Sequence, residues 1–323
     1  MQTTVQTHAS GLDVVTYGEA LALLVAEEVG AFEDVERYSR RLAGAETNVS
    51  IGLSRLGLKV GWVSRVGDDS FGRFIRKRVA QEGVDVSQVA SDPVHRTAIQ
   101  LKAKAVDGAD PAIEYYRRGS AASHLSPADF DEAYFDSARH LHATGIAPAL
   151  SASTMAFAHH ALDFMRARGK TISFDPNLRP MLWPSQEVMA RELNALACKA
   201  DWVLPGLSEG KILTGYTQAR DIAAFYLDRG VSMVVIKLGA DGAYVRHADG
   251  ELRVPGVKVA QVVDTVGAGD GFAAGVISGM LEGLPVEQAV MRGNRIGAFA
   301  IQVVGDMEGL PTRAELEAAS RGQ

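Results

Sequence analysis

The sequence predicts an α/β fold with a mostly parallel central sheet covered by helices on both faces and a small antiparallel sheet attached to it. Three observations carry this. From residue 139 onward, short apolar strands alternate with helical stretches, the rhythm of a parallel sheet buried on both faces. Between about residues 95 and 118 the texture changes to broad apolar–polar alternation around a turn, the pattern of antiparallel strands with one wet face. No internal repeat or low-complexity linker divides the chain, so the small sheet reads as an appendage inserted into one α/β body.

The first strand is expected at 12–18, ending in Gly18-Glu19. Ala43 to Asn48 then feeds Val49, Ile51, Leu53 and Leu56, apolar positions at helical spacing that stop at Gly57. A strand at 60–67 precedes a helix through Phe71, Ile75 and Val79 that closes at Gly83. Strands at 97–106 and 112–117 flank a turn at 107–111. Further strands are expected at 140–143, 171–175, 202–205 and 233–237, separated by helices around 151–168, 186–199 and 218–229.

The chain has 323 residues, 47% apolar and 22% charged, enough to bury a substantial core. A net charge of −6 argues against non-specific nucleic-acid binding but says little about a small anion, which a few local arginines can hold. The single cysteine, Cys198, excludes an intrachain disulfide and a cysteine metal cluster, and suits a reducing cytoplasm. No apolar run approaches the roughly 18 residues of a membrane span. Residues 1–11 lack the features of a signal peptide and read as a loose tail.

The run Asp264-Thr265-Val266-Gly267-Ala268-Gly269-Asp270 opens into the apolar stretch from Phe272 to Ile277. A loop with glycines at 267 and 269 can turn sharply and bring its backbone close to a ligand. A helix behind it would present free N–H groups and a positive dipole end, which attract phosphate oxygens. The carboxylate of Asp270 at the same mouth needs a reason, and the simplest is proton abstraction from a nucleophile attacking phosphorus. A helix-capping aspartate after a glycine turn is the competing explanation.

Ligands of open α/β sheets bind beyond the carboxyl ends of the strands. Asp175-Pro176-Asn177-Leu178-Arg179-Pro180 follows one strand there, and Arg179 offers a fork for phosphate or carboxylate, or is a surface residue of a proline-rich turn. Gly206-Leu207-Ser208-Glu209 follows the next, where Glu209 holds a metal through water or sits in a first helical turn. Lys237 to Ala243, with Gly239 and Gly242, suits close approach to a flat nucleobase, or is a plain turn. In Gly44-Ala45-Glu46-Thr47-Asn48, Asn48 can exchange hydrogen bonds with sugar hydroxyls or cap a helix. Tyr115-Tyr116-Arg117-Arg118-Gly119 suits an anionic small molecule, or a charged edge strand. Zinc-binding histidine spacing, a GxxxxGK[ST] loop and a GxGxxG fingerprint are all missing, the last counting against a nicotinamide-dependent sugar-acid dehydrogenase.

Taken together, the runs at 44–48, with Leu56-Gly57, at 66–72 and at 264–270 make the chain resemble the ribokinase-like carbohydrate kinases over roughly residues 12–318. The stretches at 18–21, 44–48, 115–121, 145–151 and 175–179 are similar to the branch acting on 2-keto-3-deoxy sugar acids such as 2-keto-3-deoxygluconate, phosphorylated at the terminal hydroxyl in an Entner–Doudoroff-type route. The resemblance implies a three-layer α/β/α domain whose lid, formed by segments about 19–43 and 95–120, excludes water and pairs copies into a homo-oligomer. It implies ATP and magnesium, with no nucleic-acid or membrane partner. Asp270 would be the base, with Gly267, Ala268 and Gly269 giving N–H groups to the transferring phosphoryl group. Gly44, Ala45, Asn48, Gln100, Tyr115, Tyr116, Arg117, Arg179, Asp264, Asp270 and Asp306 would bind the sugar acid, Arg117 through its carboxylate. Asn177, Arg179, Gly206, Lys237, Gly239, Gly242 and Asn294 would join the 267–269 run on the nucleotide, and Glu209 would serve the metal. Three departures stand out: Gly206 replaces the asparagine of an Asn-x-x-Glu motif, the first strand lacks the sugar-binding aspartate of ribose-type members, and Gln100 stands where a tyrosine is expected. Fructose, another sugar or a nucleoside is the alternative substrate within the fold, and a non-enzymatic sensor is the alternative outside catalysis.

Overall fold

The computed structural model describes residues 11–104 and 111–321, so the expected tail up to residue 10, the end of the expected strand at 105–106 and the expected turn up to residue 110 lie outside the described residues. In chain order, β1 (Val14–Tyr17), β2 (Leu21–Ala26) and β3 (Tyr38–Ala43) precede α1 (Ala45–Arg55), β4 (Val60–Gly67), α2 (Ser70–Gln81), β5 (Val89–Asp92), β6 (Ile99–Lys102) and β7 (Ile113–Tyr116). Next come α3 (Glu132–Ser137), β8 (His140–Thr144), α4 (Ala152–Ala167), β9 (Thr171–Asp175), α5 (Gln186–Ala197), β10 (Trp202–Val203), α6 (Leu207–Thr214) and α7 (Ala219–Leu227). The chain closes with β11 (Met233–Lys237), β12 (Ala243–His247), β13 (Gly250–Val254), α8 (Ala268–Leu281), α9 (Val286–Ala300) and α10 (Arg313–Arg321).

Nine strands form the central sheet in the order β13-β12-β11-β10-β9-β8-β1-β4-β5, parallel except for the terminal β12–β13 hairpin. Successive side chains of a strand point to opposite faces, and the two cores show it. Val14, Trp62 and Val235 pack with α1, α8 and α9 residues such as Ile51, Phe272 and Ile296. Their neighbours Val15, Val63 and Val234 pack on the other side with Phe157, Leu193 and Ile222 of α4, α5 and α7. The result is three layers, α/β/α. Helix α8 is buried from Asp270 to Gly279, the signature of a helix apolar on every side.

The second sheet has four strands in the order β3-β2-β6-β7. Its own small core is built on Leu21, Leu23, Val25, Ala43 and Ala98. The expected antiparallel pairing holds for β6–β7; β2 and β3 form a second antiparallel pair that was not expected, and the two pairs join through a parallel β2–β6 contact. Parallel neighbours need a long crossover, and residues 27–98 provide it through α1, β4, α2 and β5. The expected strand at 202–205 shrinks to Trp202–Val203, because Pro205 has no N–H to continue the ladder.

Candidate active site

Two cavities open beyond the carboxyl ends of the central strands and meet at the N-terminus of α8. Thr265 lines both. Gly267 and Asp270 face the first cavity, and Ala268 and Gly269 face the second. The expected loop around both glycines is tighter than predicted. Only Gly267 is left-handed, with φ 80°, and caps the helix, while Gly269 and Asp270 already belong to its first turn. The N–H groups of a first turn have no preceding helical turn to bond with, and apart from a long 3.5 Å contact from Ala268 N–H to Thr265 O they and the dipole face the junction of the cavities.

The first cavity, of about 310 Å³, is roofed by the second sheet and floored by α1 and α8. Of the predicted residues it brings together Gly44, Ala45, Asn48, Gln100, Tyr115 and Arg117. Asn177, Arg179, Gly267, Asp270 and Asp306 complete the set on its other walls. The Asn48 amide Nδ2 donates to Asp270 Oδ2 at 2.8 Å and orients that carboxylate. Burial pushes the Asp270 carboxyl up to about 6; the Asn48 bond opposes the rise, nearby Asp175 adds to it, and Lys237 and Arg179 oppose it. Burial likewise pushes Glu46 up to about 7, even though Thr144 Oγ1 donates to its Oε1 at 2.5 Å. Asp306 is raised to about 7 by burial, with Lys102 pulling against it. Three wall residues carry buried oxygens that lack a partner: Asn48 Oδ1, Glu46 Oε2 and Asp306 Oδ1. Buried polar atoms are rarely left so, and three acceptors converging on one cavity suit a ligand with several hydroxyl donors.

Cations balance these acids. Arg117 donates through Nε to Glu19 Oε2 at 2.7 Å, and Ser120 Oγ donates to the other oxygen of Glu19. Glu19 is 1% exposed, and its pKa is raised by burial despite Arg117. Arg179 Nη1 donates to Leu178 O at 2.9 Å, which braces the loop after β9. In that loop Asn177 has φ 39°, the only non-glycine residue with positive φ among the described residues, and asparagine tolerates this region best.

The second cavity, of about 650 Å³, has apolar walls that include Val257, Val259, Phe272 and Ile301. Lys237, Gly239, Gly242, Ala268, Gly269 and Asn294 line it as predicted. Asn294 Nδ2 donates to Pro255 O at 2.9 Å and fixes the segment after β13. The Lys237 ammonium donates to Asp175 Oδ2 at 2.6 Å and lies beside Gly269, where an added Cβ would meet Nζ at 3.6 Å. Burial works to lower the Lys237 pKa, but Asp175 and Glu209 outweigh it and the net shift is upward.

Four predicted residues line neither cavity. Tyr116 is 59% exposed, because neighbours on a strand face opposite ways and Tyr115 takes the inner position. Asp264 is turned onto Lys102 Nζ at 2.5 Å. Gly206 caps α6, and both oxygens of Glu209 accept backbone N–H groups, Oε1 from Leu178 at 2.8 Å and Oε2 from Gly206 at 2.7 Å. Glu209 therefore braces the 177–179 loop and acts on Lys237 through space. Sequence reasoning passed over Glu19, Asp175 and Thr265 as site residues, although Asp175 ends a parallel strand where ligand-facing residues are expected. Among the described residues no group of three or more histidine, cysteine or acidic side chains could hold a metal ion, and no helix is long and apolar enough to cross a membrane.

Comparison with known proteins adds four findings. The family model for pfkB family carbohydrate kinases matches residues 12–313. The chain is 52% identical over 306 residues, 94% of each chain, to the 2-dehydro-3-deoxygluconokinase of Bacillus subtilis (strain 168). Among solved structures it resembles a PfkB protein from Polaromonas sp. JS666 (54% identity, TM-score 0.89, 95% of this chain and 99% of that one). It also resembles an Escherichia coli putative ribokinase II in complex with ATP and Mg²⁺ (27% identity, TM-score 0.89, 97% and 100% covered).

Proposed function

The chain belongs to the pfkB family of carbohydrate kinases, and we propose that it transfers the γ-phosphoryl group of ATP to the terminal hydroxyl of 2-keto-3-deoxygluconate, the compound also called 2-dehydro-3-deoxygluconate. The observation that carries this reading is the first cavity itself: orphaned acceptors for hydroxyls, the Arg179 guanidinium for a carboxylate, and Asp270 at its inner end. Arg117 is taken up by Glu19, and a neutral sugar would have no use for Arg179. The relative that is 52% identical supports the same substrate.

In this reading Asp270, oriented by Asn48, removes the proton of the terminal hydroxyl as its oxygen attacks the γ-phosphorus. The new O–P bond forms while the bond to the β-phosphate oxygen breaks, and ADP departs with that electron pair. The first N–H groups of α8 and the Lys237 ammonium stabilise the charge on the phosphoryl oxygens. The apolar second cavity takes the adenine and ribose. The second sheet acts as a lid whose β2, β6 and β7 strands keep water from the sugar.

Magnesium fits as an ion carried in with the nucleotide, because no preformed ligand cluster exists among the described residues while Asp175 Oδ1 is buried without a partner. Asp175 would hold it, and the ion would supply charge that neutralises the phosphates. The setting is cytoplasmic, and copies assemble through the lid's outer face, where Tyr116 is exposed.

A substrate panel tests the reading. With ATP and magnesium, 2-keto-3-deoxygluconate should be consumed and a phosphate monoester should appear at its terminal carbon by phosphorus NMR. Turnover of fructose, ribose or a nucleoside with none of the keto-acid would overturn it. Arg117→Ala has a separate expected outcome. It removes the ion-pair partner of buried Glu19, so unfolding free energy should drop by about 3–5 kcal/mol in urea titration at pH 8. A drop below about 1 kcal/mol would mean that Glu19, whose pKa burial already raises, takes up a proton instead of staying charged.

A further inference from the structure

Lys102 closes β6 two residues after Gln100, so both side chains lie on one face of the second sheet. Gln100 reaches the first cavity, and Lys102 continues past it into the body of the protein. Its Nζ lies 2.5 Å from Asp264 Oδ2, with the two side chains 3% and 4% exposed. The same carboxylate accepts from the backbone N–H groups of Val266 and Gly305, each at 3.2 Å. It thereby ties the segment entering α8 to the 305–306 loop, whose Asp306 carbonyl backs directly onto Gly267. Asp306, with its buried unpartnered Oδ1, feels Lys102, Asp264, Asp270 and Glu308 together. An ion pair buried this deeply costs desolvation, and it joins two parts of the chain 162 residues apart.

We propose that Lys102 is a positioning residue for phosphoryl transfer: its ammonium is a fixed monovalent cation, delivered by a lid strand, that neutralises Asp264 and holds the 264–267 backbone so that the first N–H groups of α8 point at the transferring group. The inference rests on the phosphotransfer reading above. It has two consequences. The chain supplies its own cation, so turnover needs no dissolved one. Displacement of β6 would also withdraw the charge, so a closed lid and an ordered phosphoryl site come together.

The test is Lys102→Met, assayed at constant ionic strength in tetramethylammonium, potassium or ammonium chloride. Wild-type kcat should agree within about twofold in all three salts, since no dissolved ion takes part. The variant should lose about tenfold to a hundredfold in kcat in the tetramethylammonium salt, with the KM for the sugar acid changing far less. Potassium or ammonium, small enough to reach Asp264, should restore part of the loss and raise the variant's melting temperature, while tetramethylammonium does neither. Wild-type kcat in tetramethylammonium, or a loss that neither small ion repairs, would overturn the proposal. Should Lys102→Met not fold, Lys102→Met with Asp264→Asn removes both charges; this pair should turn over slowly and ignore the salt, and wild-type kcat in it would contradict the proposal. A wild type that phosphorylates neither a sugar acid nor any other sugar or nucleoside would instead sink the phosphotransfer reading, and the melting arm would still read the cation dependence.

Discussion

Asp270→Asn should lower kcat by about 10² to 10⁴, the usual worth of a positioned base, with the KM for the sugar acid nearly unchanged. The variant keeps the shape of the side chain and can turn its amide oxygen toward Asn48 Nδ2, so the wall of the first cavity survives. The same substitution should stabilise the protein. Burial raises the Asp270 carboxyl from 3.8 to about 6 in the fold. A raised carboxyl means that the fold favours the protonated form, so its contribution is fully present below the unfolded pKa and is lost as pH rises through about 6. At pH 8 the wild type therefore carries a penalty of about 2–3 kcal/mol that the asparagine lacks. Melting at pH 8 should rise in the variant, and the difference should vanish near pH 4. A loss of kcat together with a lower melting temperature at pH 8 would show that the carboxylate mainly supports the fold.

Gly267→Ala should rank second. Its φ of 80° is left-handed, which costs an L-residue roughly 1–2 kcal/mol. A methyl group there would also run into the Asp306 carbonyl oxygen. The backbone has to shift, and with it the N–H groups that face the phosphoryl site. Loss of well-aimed donors of this kind costs about 10² to 10³ in kcat. Gly283→Ala is the matched control, because Gly283 has φ 78° with nothing within 4 Å of an added Cβ. It should lower stability by a similar strain and leave kcat alone. Equal kcat losses in both variants would mean that general destabilisation, not the phosphoryl site, explains the first.

Local signals carried much of this structure. Strands at 60–67, 171–175 and 233–237 stand where apolar runs end in glycine, aspartate or lysine, because burial on both faces leaves little choice of residue. The Gly267–Asp270 run pointed to the phosphoryl site because few other jobs need a glycine, free N–H groups and a carboxylate together. Other features depend on partners far away in sequence. Asp264 looked like a ligand residue and is instead bound to Lys102, which no spacing in the sequence connects to it. Glu19 and Arg117 pair across 98 positions, so neither charge could be read as neutralised from local context. Tyr116 is a different case: the alternation of a strand forbids it from sharing a face with Tyr115, so only one of the doublet can face the cavity. The β12–β13 hairpin has a weak sequence signal, because its outer strand is mostly exposed and lacks a continuous apolar run.

The central claim is that a buried aspartate at the head of α8, poised near neutrality, accepts the proton of the sugar hydroxyl. Its most direct test is kcat/KM for 2-keto-3-deoxygluconate between pH 5 and 8, in wild type and in Asp270→Asn under the same buffers. Wild-type kcat/KM should fall about tenfold per pH unit below an apparent pKa near 6, and the residual rate of the variant should lack that step. Parallel profiles in the two proteins, or a flat wild-type profile across this range, would contradict the assignment of Asp270 as the base.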